Sequence, residues 1–357
     1  MIIQSGAFCT AIDYLAEFGD EESSIVFTPR GGIVHLEVFG ENCYGKYTLR
    51  VTDSDHERFA VNLHALHEAS KQLDDAPVEL LAASSAKLTC AGETWWIPYQ
   101  DLPNHSAPKV KVRSTATWGH ELTRHIQLMS VAMNSFQDNA CLDCILIDQR
   151  AQRQSVVATN GQILVAYSER NKEKMRAPRS ILLERKHVAK FAKLCESEST
   201  VEISIGLTNF SVRCGRRFAI FDLRKGRFPR WEDWFSRAKS ITSNLANSTG
   251  AFTTTKEEIN SACRQLPVGE QVVEVVSHLN GVRLTTHQRE HQEHALVSSE
   301  IINHFGPISI RADYLVKLAQ NWPYPNIQVQ YQQANEPIVL SSPQSNANLL
   351  ALIMPVA

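Results

Sequence analysis

Residues 181–205 read ILLERKHVAKFAKLCESESTVEISI, and their interpretation decides the fold. A short apolar run, Ile181 to Leu183, precedes a segment in which Val188, Phe191 and Leu194 recur at helical spacing. A polar break, CESEST, follows, and then V-E-I-S-I alternates with the period of a strand buried on one face. The same order recurs in residues 59–82, FAVNLHALHEASKQLDDAPVELLA, and in residues 308–331, ISIRADYLVKLAQNWPYPNIQVQY. Phe59, Ile181 and Ile308 each lie seven residues before Leu66, Val188 and Leu315. The strand anchors Val78, Val201 and Ile327 follow those helix positions by 12, 13 and 12 residues. The unit therefore repeats at offsets of 122 and 127 residues, and a repeat of this kind governs the whole architecture.

A second helix is expected near the start of each third, over residues 7–18, 118–133 and 255–266. In the middle one Leu122, Ile126, Met129 and Met133 fall at helical spacing. Alternating segments at 25–27, 34–38, 88–97, 155–157, 210–212 and 282–285 read as strands. Pro103, Asn104, Pro108 and Ser114 mark one boundary, and the Ser-, Asn- and Thr-rich stretch 236–250 marks another. The expectation is an α+β protein of three repeated domains, 1–114, 115–246 and 247–357, each with two helices backed by antiparallel sheet. Strands do not alternate with helices through Gly-rich turns, which argues against a dinucleotide-binding fold.

The 357 residues are 43% hydrophobic and 21% charged, which argues against a largely disordered chain, a coiled coil or a collagen-like chain. No apolar run is long enough to span a bilayer as a helix. Residues 1–19 carry Asp13 and Glu17 but no Lys or Arg, unlike the basic start of a signal peptide. Eight irregularly spaced cysteines read as reduced thiols, so a cytoplasmic location is expected. The net charge of −2 hides an asymmetry: the thirds carry −7, +8 and −3. Either one face meets an anion, or the domains or subunits complement one another in charge.

Four motifs then bear on function. Ala158-Thr159-Asn160-Gly161-Gln162-Ile163-Leu164 resembles the A-T-D-G-H-R-L segment of the bacterial DNA polymerase sliding clamp, the beta subunit of DNA polymerase III. It departs at Asn160, Gln162 and Ile163. Lys225-Gly226-Arg227-Phe228-Pro229-Arg230-Trp231 is similar to that family's G-R-F-P-D-Y, and Asn280-Gly281-Val282-Arg283-Leu284 to its R-G-V-R-L. Leu352-Ile353-Met354-Pro355-Val356 resembles its terminal V-V-M-P-M. The motifs occur in the family's order inside a three-fold repeat. The resemblance covers essentially the whole chain and is poorest in the first 115 residues.

The resemblance implies a DNA clamp fold, each chain forming half of a closed ring that encircles double-stranded DNA without reading sequence. It implies a non-catalytic processivity subunit, a homodimer without cofactor or metal, whose partners are DNA polymerase, the clamp loader and repair proteins. These would insert a short peptide motif into a groove between the second and third domains. Carried over by position, the groove is Leu142, Thr159, Gly161, Gln162, Ile163, Leu164, Pro229, Asp233, Trp234, Leu279, Pro337, Leu352, Met354, Pro355 and Val356. For any one of these, ordinary inter-domain core is the alternative. Gln162, Ile163 and Asp233 replace positions where the family has basic character, and Trp234 is bulkier than the usual aliphatic. A partner peptide with less acidic flanks is expected.

In a ring of this kind the polar helix faces point at DNA. Lys186, Lys190 and Lys193 form one stripe, Lys317 is the repeat equivalent of Lys190, and Arg124, Lys256 and Arg264 lie on the other helix type. Solvated helix faces are the plain alternative. Glu68 stands at the Lys190 position in the acidic first domain, so DNA contact should be weak, salt-sensitive and centred on the middle domain. The segment Glu93-Thr94-Trp95-Trp96-Ile97-Pro98-Tyr99 matches a dimer-interface strand of the family, with Trp96 and Pro98 as candidates and Leu266 on the opposing surface.

Other constellations carry less. Cys141-Leu142-Asp143-Cys144 is a C-x-x-C in a strand-like apolar run, without the second pair a metal site needs. His287, His291 and His294 read as an exposed polar loop rather than a metal site. Two further functions stay open: a divergent accessory clamp with altered partners, and a single-stranded nucleic-acid binder using Arg216, Arg217, Phe218, Phe221 and Trp231.

Overall fold

The computed structural model describes residues 1–52, 57–82, 85–104, 106–119, 124–133, 141–170, 179–196, 200–243, 248–266, 272–287, 292–333, 336–345 and 348–356. The chain is α+β, with antiparallel sheets. Among the described residues there are seven α-helices: α1 (Ser5–Ala16), α2 (Leu63–Ser70), α3 (Ile126–Val131), α4 (Arg185–Cys195), α5 (Glu232–Ser243), α6 (Lys256–Arg264) and α7 (Ala312–Asn321). No described helix is long and apolar enough to cross a membrane.

The anchor spacing gives the element order it predicts. Phe59–Asn62, α2 and Val78–Ala82 form one strand–helix–strand unit, Arg179–Glu184, α4 and Thr200–Ile205 the second, and Ile308–Arg311, α7 and Asn326–Tyr331 the third. Thr200–Ile205 alternates exposed and buried positions, with Val201, Ile203 and Ile205 inward. Two helices start on side-chain caps that satisfy otherwise unpaired amides. Asn62 Oδ1 accepts from Ala65 N at 2.7 Å, and Thr255 Oγ1 accepts from Glu258 N at 3.2 Å. At the other end of α4, the Arg217 guanidinium donates to the carbonyls of Lys193 and Glu196, both at 2.8 Å. That is where the last carbonyls of a helix need donors.

The chain packs as two compact units, residues 1–123 with 189–223, and residues 124–188 with 224–357. The first has a four-stranded sheet, Ile2–Ile3, Val78–Ala82, Ala86–Cys90, Glu93–Ile97. Its nine-stranded sheet runs Ser114–Gly119, Thr200–Ile205, Asn209–Cys214, Arg217–Asp222, Cys43–Arg50, Ile33–Gly40, Ser24–Arg30, Phe59–Asn62, Tyr99–Gln100. Helix α1 packs on this sheet through buried Phe8, Ile12, Tyr14 and Leu15, and the Tyr14 hydroxyl donates to Phe218 O at 2.9 Å. In the second unit the nine-stranded sheet runs Arg179–Glu184, Cys144–Gln149, Arg153–Thr159, Ile163–Arg170, Leu349–Ile353, Ile338–Ser341, Asn326–Tyr331, Gly250–Thr255, Glu300–Asn303. Its four-stranded sheet is Gln292–Val297, Gly281–His287, Val272–His278, Ile308–Arg311.

Each nine-stranded sheet contains a seam between sequence thirds. In the first unit Arg217–Asp222, which ends the middle third's strands, pairs with Cys43–Arg50 of the first third, Ile220 opposite Tyr44. In the second unit Leu349–Ile353 of the last third pairs with Ile163–Arg170 of the middle third, Leu352 opposite Leu164. The middle third therefore supplies strands to both units. By the same repeat, Glu93–Ile97 corresponds to Arg217–Asp222, and Gln292–Val297 to Cys43–Arg50. Each of those two strands ends a four-stranded sheet and has one unpaired edge among the described residues.

Three elements differ from the sequence expectation. Trp118 is in the strand Ser114–Gly119, opposite Val201 and 1% exposed, so the helix expected over 118–133 does not begin there. The alternating S-T-A-T-W-G run, with Ala116 and Trp118 inward, outweighs the helical spacing downstream. Leu122 lies outside the described residues. The stretch 236–250 is not all linker, because α5 continues to Ser243 with Phe235, Ala238 and Ile241 buried at helical spacing. Residues 88–97 are two strands joined by a turn at Ala91 and Gly92, both with positive φ.

Candidate functional site

The T-N-G-Q-I segment builds a tight hairpin turn in the second unit. Asn160 Oδ1 accepts from the amides of Gln162 and Ile163 at 2.9 and 2.8 Å, the role an Asp would play there. Gly161 has φ +89°, a conformation that favours glycine. The Thr159 hydroxyl donates to Ile163 O at 2.7 Å and accepts from Gly161 N. The turn is tied to the chain end by Met354 N donating to Gln162 O at 2.8 Å, and to α7 by the Tyr314 hydroxyl donating to Gln162 Oε1.

Helix α5 supplies the opposite wall. Phe235, Ala238 and Ile241 join a buried cluster with Leu146, Leu164, Leu182, Trp231, Leu350 and Leu352, and Phe228 packs against it. Burial of one such large side chain is worth about 1.5–3 kcal/mol, so this wall is held firmly. Between turn and helix lies a largely apolar cavity of about 280 Å³. It suits one or two apolar side chains of a peptide.

Ten of the fifteen sequence-derived groove residues line it: Leu142, Thr159, Gly161, Gln162, Ile163, Leu164, Pro229, Trp234, Leu352 and Met354. Asp233 instead lines a neighbouring recess. Leu279 is 92% exposed on the turn between His278 and Gly281, Pro337 is buried, and Pro355 and Val356 lie just past the last strand. Arg230 and Trp231 also line the cavity and are absent from the sequence-derived set, although both fall in the quoted segment, at the D-Y positions of G-R-F-P-D-Y. Trp231 is 2% exposed, held by Phe235 and by the Arg153 guanidinium 4.7 Å from its ring.

A carboxylate network edges this site. Arg150 bonds Asp148 at 2.8 Å and also bonds Glu232. Burial pushes the Asp148 carboxyl up despite Arg150. Burial also pushes Glu232 up, but backbone amides at the start of α5 and the Arg150 guanidinium outweigh it and hold the carboxyl below its ordinary range. Burial pushes the Cys144 thiol up to about 12, with Glu184 adding to it. None of the eight cysteines, all of them described, forms a disulfide. His287 ends one strand and His294 lies in the next, 3.0 Å from Thr285 Oγ1, so neither is in a loop. His291 lies outside the described residues.

Most of the basic residues expected to face DNA already have partners. Lys193 is 2.6 Å from Asp13 and 3.6 Å from Glu196, Lys186 is 3.6 Å from Glu184, and Lys317 is 3.7 Å from Asp313. Lys190 rests 3.7 Å from Cys43 Sγ over the Phe18 ring, and Lys256 is 4.0 Å from Glu257. Arg124 donates to Pro323 O and stacks over Tyr324. Arg264 is exposed, with no ion pair among the described residues. Of the edge residues, Trp96 is 66% exposed, Pro98 is exposed, and Leu266 is 5% exposed, in the core of its own unit.

No protein-family model matches the chain, and no curated protein matches it. Solved structures do. A DNA polymerase III beta sliding clamp from Pseudomonas aeruginosa, bound to griselimycin, superposes with a TM-score of 0.84 at 15% identity, covering 100% of this chain and 99% of that one. The beta subunit of DNA polymerase III from Thermotoga maritima gives 0.81 at 13% identity, covering 100% and 98%. The DNA polymerase sliding clamp from Bacillus subtilis gives 0.79 at 14% identity, again covering 100% and 98%. The chain has the sliding-clamp fold along its whole length.

Proposed function

We propose that the chain is a DNA sliding clamp: two copies close head to tail into a ring around duplex DNA and tether polymerase, clamp loader and repair proteins through peptides seated in the groove. Its three domains would be 1–114, 115–246 and 247–357. In this reading it is a processivity subunit, and it does no chemistry of its own.

The observation that carries this is the pair of unmatched strand edges. Two seams of one type are made within the chain, and the repeat supplies one more strand of each kind, Glu93–Ile97 and Gln292–Val297. Pairing them between copies removes both open edges and, done twice, closes a ring. Trp96 measures the vacancy. Its hairpin equivalent is Ile220, because Cys90–Glu93 and Cys214–Arg217 each close a two-residue turn and the pairing counts equally from both. Ile220, covered at its seam, is 4% exposed, whereas Trp96 is 66% exposed.

The deciding experiment is retention on DNA. The chain, loaded by its clamp loader onto nicked circular DNA, should stay bound through gel filtration and be lost when the circle is cut. Equal retention on both forms would sink the encirclement reading. Arg230 and Trp234 in the groove wall favour, within this function, a clamp whose partner peptides differ from the common bacterial ones.

A further inference from the structure

Beside the apolar groove, and sharing Pro229, Arg230 and Trp231 with it, lies a second and more polar recess of about 630 Å³. Its walls come from the segment Arg224–Trp231, from the strand Cys144–Gln149 and from the start of α5. Two residues fasten the segment. Gly226 has φ +156°, and a Cβ there would sit 2.3 Å from Cys141 Sγ, so only glycine lets the backbone lie this close to the core. Phe228 packs into the buried cluster. Between and beside these fixed points Arg224, Lys225, Arg227 and Arg230 are exposed, with no ion pair among the described residues. Of the three acids that line the recess, Asp148 and Glu232 are already bridged by Arg150, which leaves Asp233. With Arg150 spent on two of the acids, Arg224, Arg227 and Arg230 face Asp233 alone, so the recess keeps a surplus of guanidinium donors next to an apolar slot.

We propose that this recess receives an acidic residue of the same partner peptide whose apolar residues fill the groove, with its carboxylate held by Arg227 and Arg230. This rests on the groove being a peptide site. It reverses the preference for less acidic flanks expected from Gln162, Ile163 and Asp233 alone. Guanidinium forks match a carboxylate in geometry as well as charge. Continuity with the groove places the two contacts within a few residues of one peptide. Asp233, Asp148 and Glu232 interrupt the basic surface, which suits one carboxylate better than a run of phosphates.

The test uses the full chain and three fluorescein-labelled decapeptides with a Leu-Phe anchor, measured by anisotropy at low salt. One carries Glu-Glu before the anchor, one carries it after, and one carries Gln-Gln instead. One acidic peptide should bind about tenfold more tightly than the Gln-Gln peptide, as expected for partly solvated charge-assisted hydrogen bonds. The preference should shrink in 0.5 M salt and disappear in Arg227→Gln, while the Gln-Gln peptide binds that variant as before. Because the Arg227 side chain is exposed, the variant should melt with the parent, which circular dichroism checks. Equal binding of all three peptides would overturn the recess proposal and leave the groove reading standing. Failure of all three to bind would overturn both. Displacement of the acidic peptide by a short oligo-dT, with oligo-dT binding itself weakened in Arg227→Gln, would assign the recess to nucleic acid and overturn the proposal.

Discussion

Replacing Trp96 with Asp tests the ring directly. In the single chain this side chain is 66% exposed on the edge strand Glu93–Ile97, with the Lys87 ammonium 6.0 Å from its ring. A tryptophan buries about 150–250 Å² when fully covered. Covering the exposed two thirds removes roughly 130 Å² from water, worth about 3 kcal/mol at ~25 cal/mol per Å². A two-chain ring contains this contact twice, so its loss costs about 6 kcal/mol and raises the dimer dissociation constant by roughly four orders of magnitude. An unpaired carboxylate at the seam adds a desolvation penalty. Sedimentation equilibrium over a thousandfold concentration range should show the parent at twice the mass of one chain and the variant at one. The thermal transition of the monomer should not fall, since the side chain supports little of the chain's own core. Leu279→Asp, which alters a hairpin tip that is 92% exposed, controls for general loss of surface stickiness and should remain dimeric. A Trp96→Asp protein that still sediments at the dimer mass with unchanged affinity would refute the seam argument.

Other outcomes follow from single side chains. Arg217→Met should lower unfolding free energy by about 2–4 kcal/mol in urea titration, because the guanidinium is 9% exposed and caps the last carbonyls of α4. Asp13→Asn should strengthen DNA binding by the loaded protein and steepen its salt dependence by at most about one counterion, since it removes the nearer of the two carboxylates that hold Lys193. The same pair titrates: the hydrogen bond from Lys193 holds the Asp13 carboxyl below its ordinary range. Its folded pKa is depressed, so the stability it adds is present above the unfolded value near 4 and is lost as pH falls through the lower folded value. In Asp13→Asn the acid limb of a pH–melting curve should flatten. Cys144, whose thiol is pushed up to about 12, should resist iodoacetamide at pH 8 in the folded protein and react once denatured.

Much of the fold is legible in residues 59–82, 181–205 and 308–331 because each holds an amphipathic helix between two alternating strands, and two periodicities in fixed order leave few alternatives. Trp118 was misassigned because its period-2 run abuts a helical pattern, and hydrophobic spacing alone cannot place the break. Helix α5 hid in a Ser-rich stretch whose apolar positions, Phe235, Ala238 and Ile241, are few but correctly spaced. At the groove, the turn residues were readable because Asn and Gly are required by backbone geometry. Arg230 was not, because its importance comes from facing two cavities at once, and that follows from how Gly226 and Phe228 seat the segment. Strand neighbours were equally hidden: alternation says that Glu93–Ile97 is a strand, but only pairing reveals that one of its edges is vacant among the described residues.

The charge asymmetry of the sequence, −7 against +8 in the first and middle thirds, admits two explanations, and the coordinates divide the charge between them. Part of it is internal complementarity, as where Asp13 of α1 takes up Lys193 of α4. In the proposed ring the stripe on α4 would thus offer DNA less charge than its lysine count suggests, and Lys190 lies against Phe18 and Cys43 rather than standing free. Another part is the run Arg224, Lys225, Arg227 and Arg230, of which Arg224, Arg227 and Arg230 line the recess beside the groove rather than a helix face. This division is consistent with the proposed enclosure of DNA. Topology keeps the duplex in place, so tight phosphate contacts would only add friction to sliding. A tethered partner, by contrast, is held by nothing except the contacts its peptide makes. In the proposed ring, free positive charge therefore has more effect at the groove than in the pore.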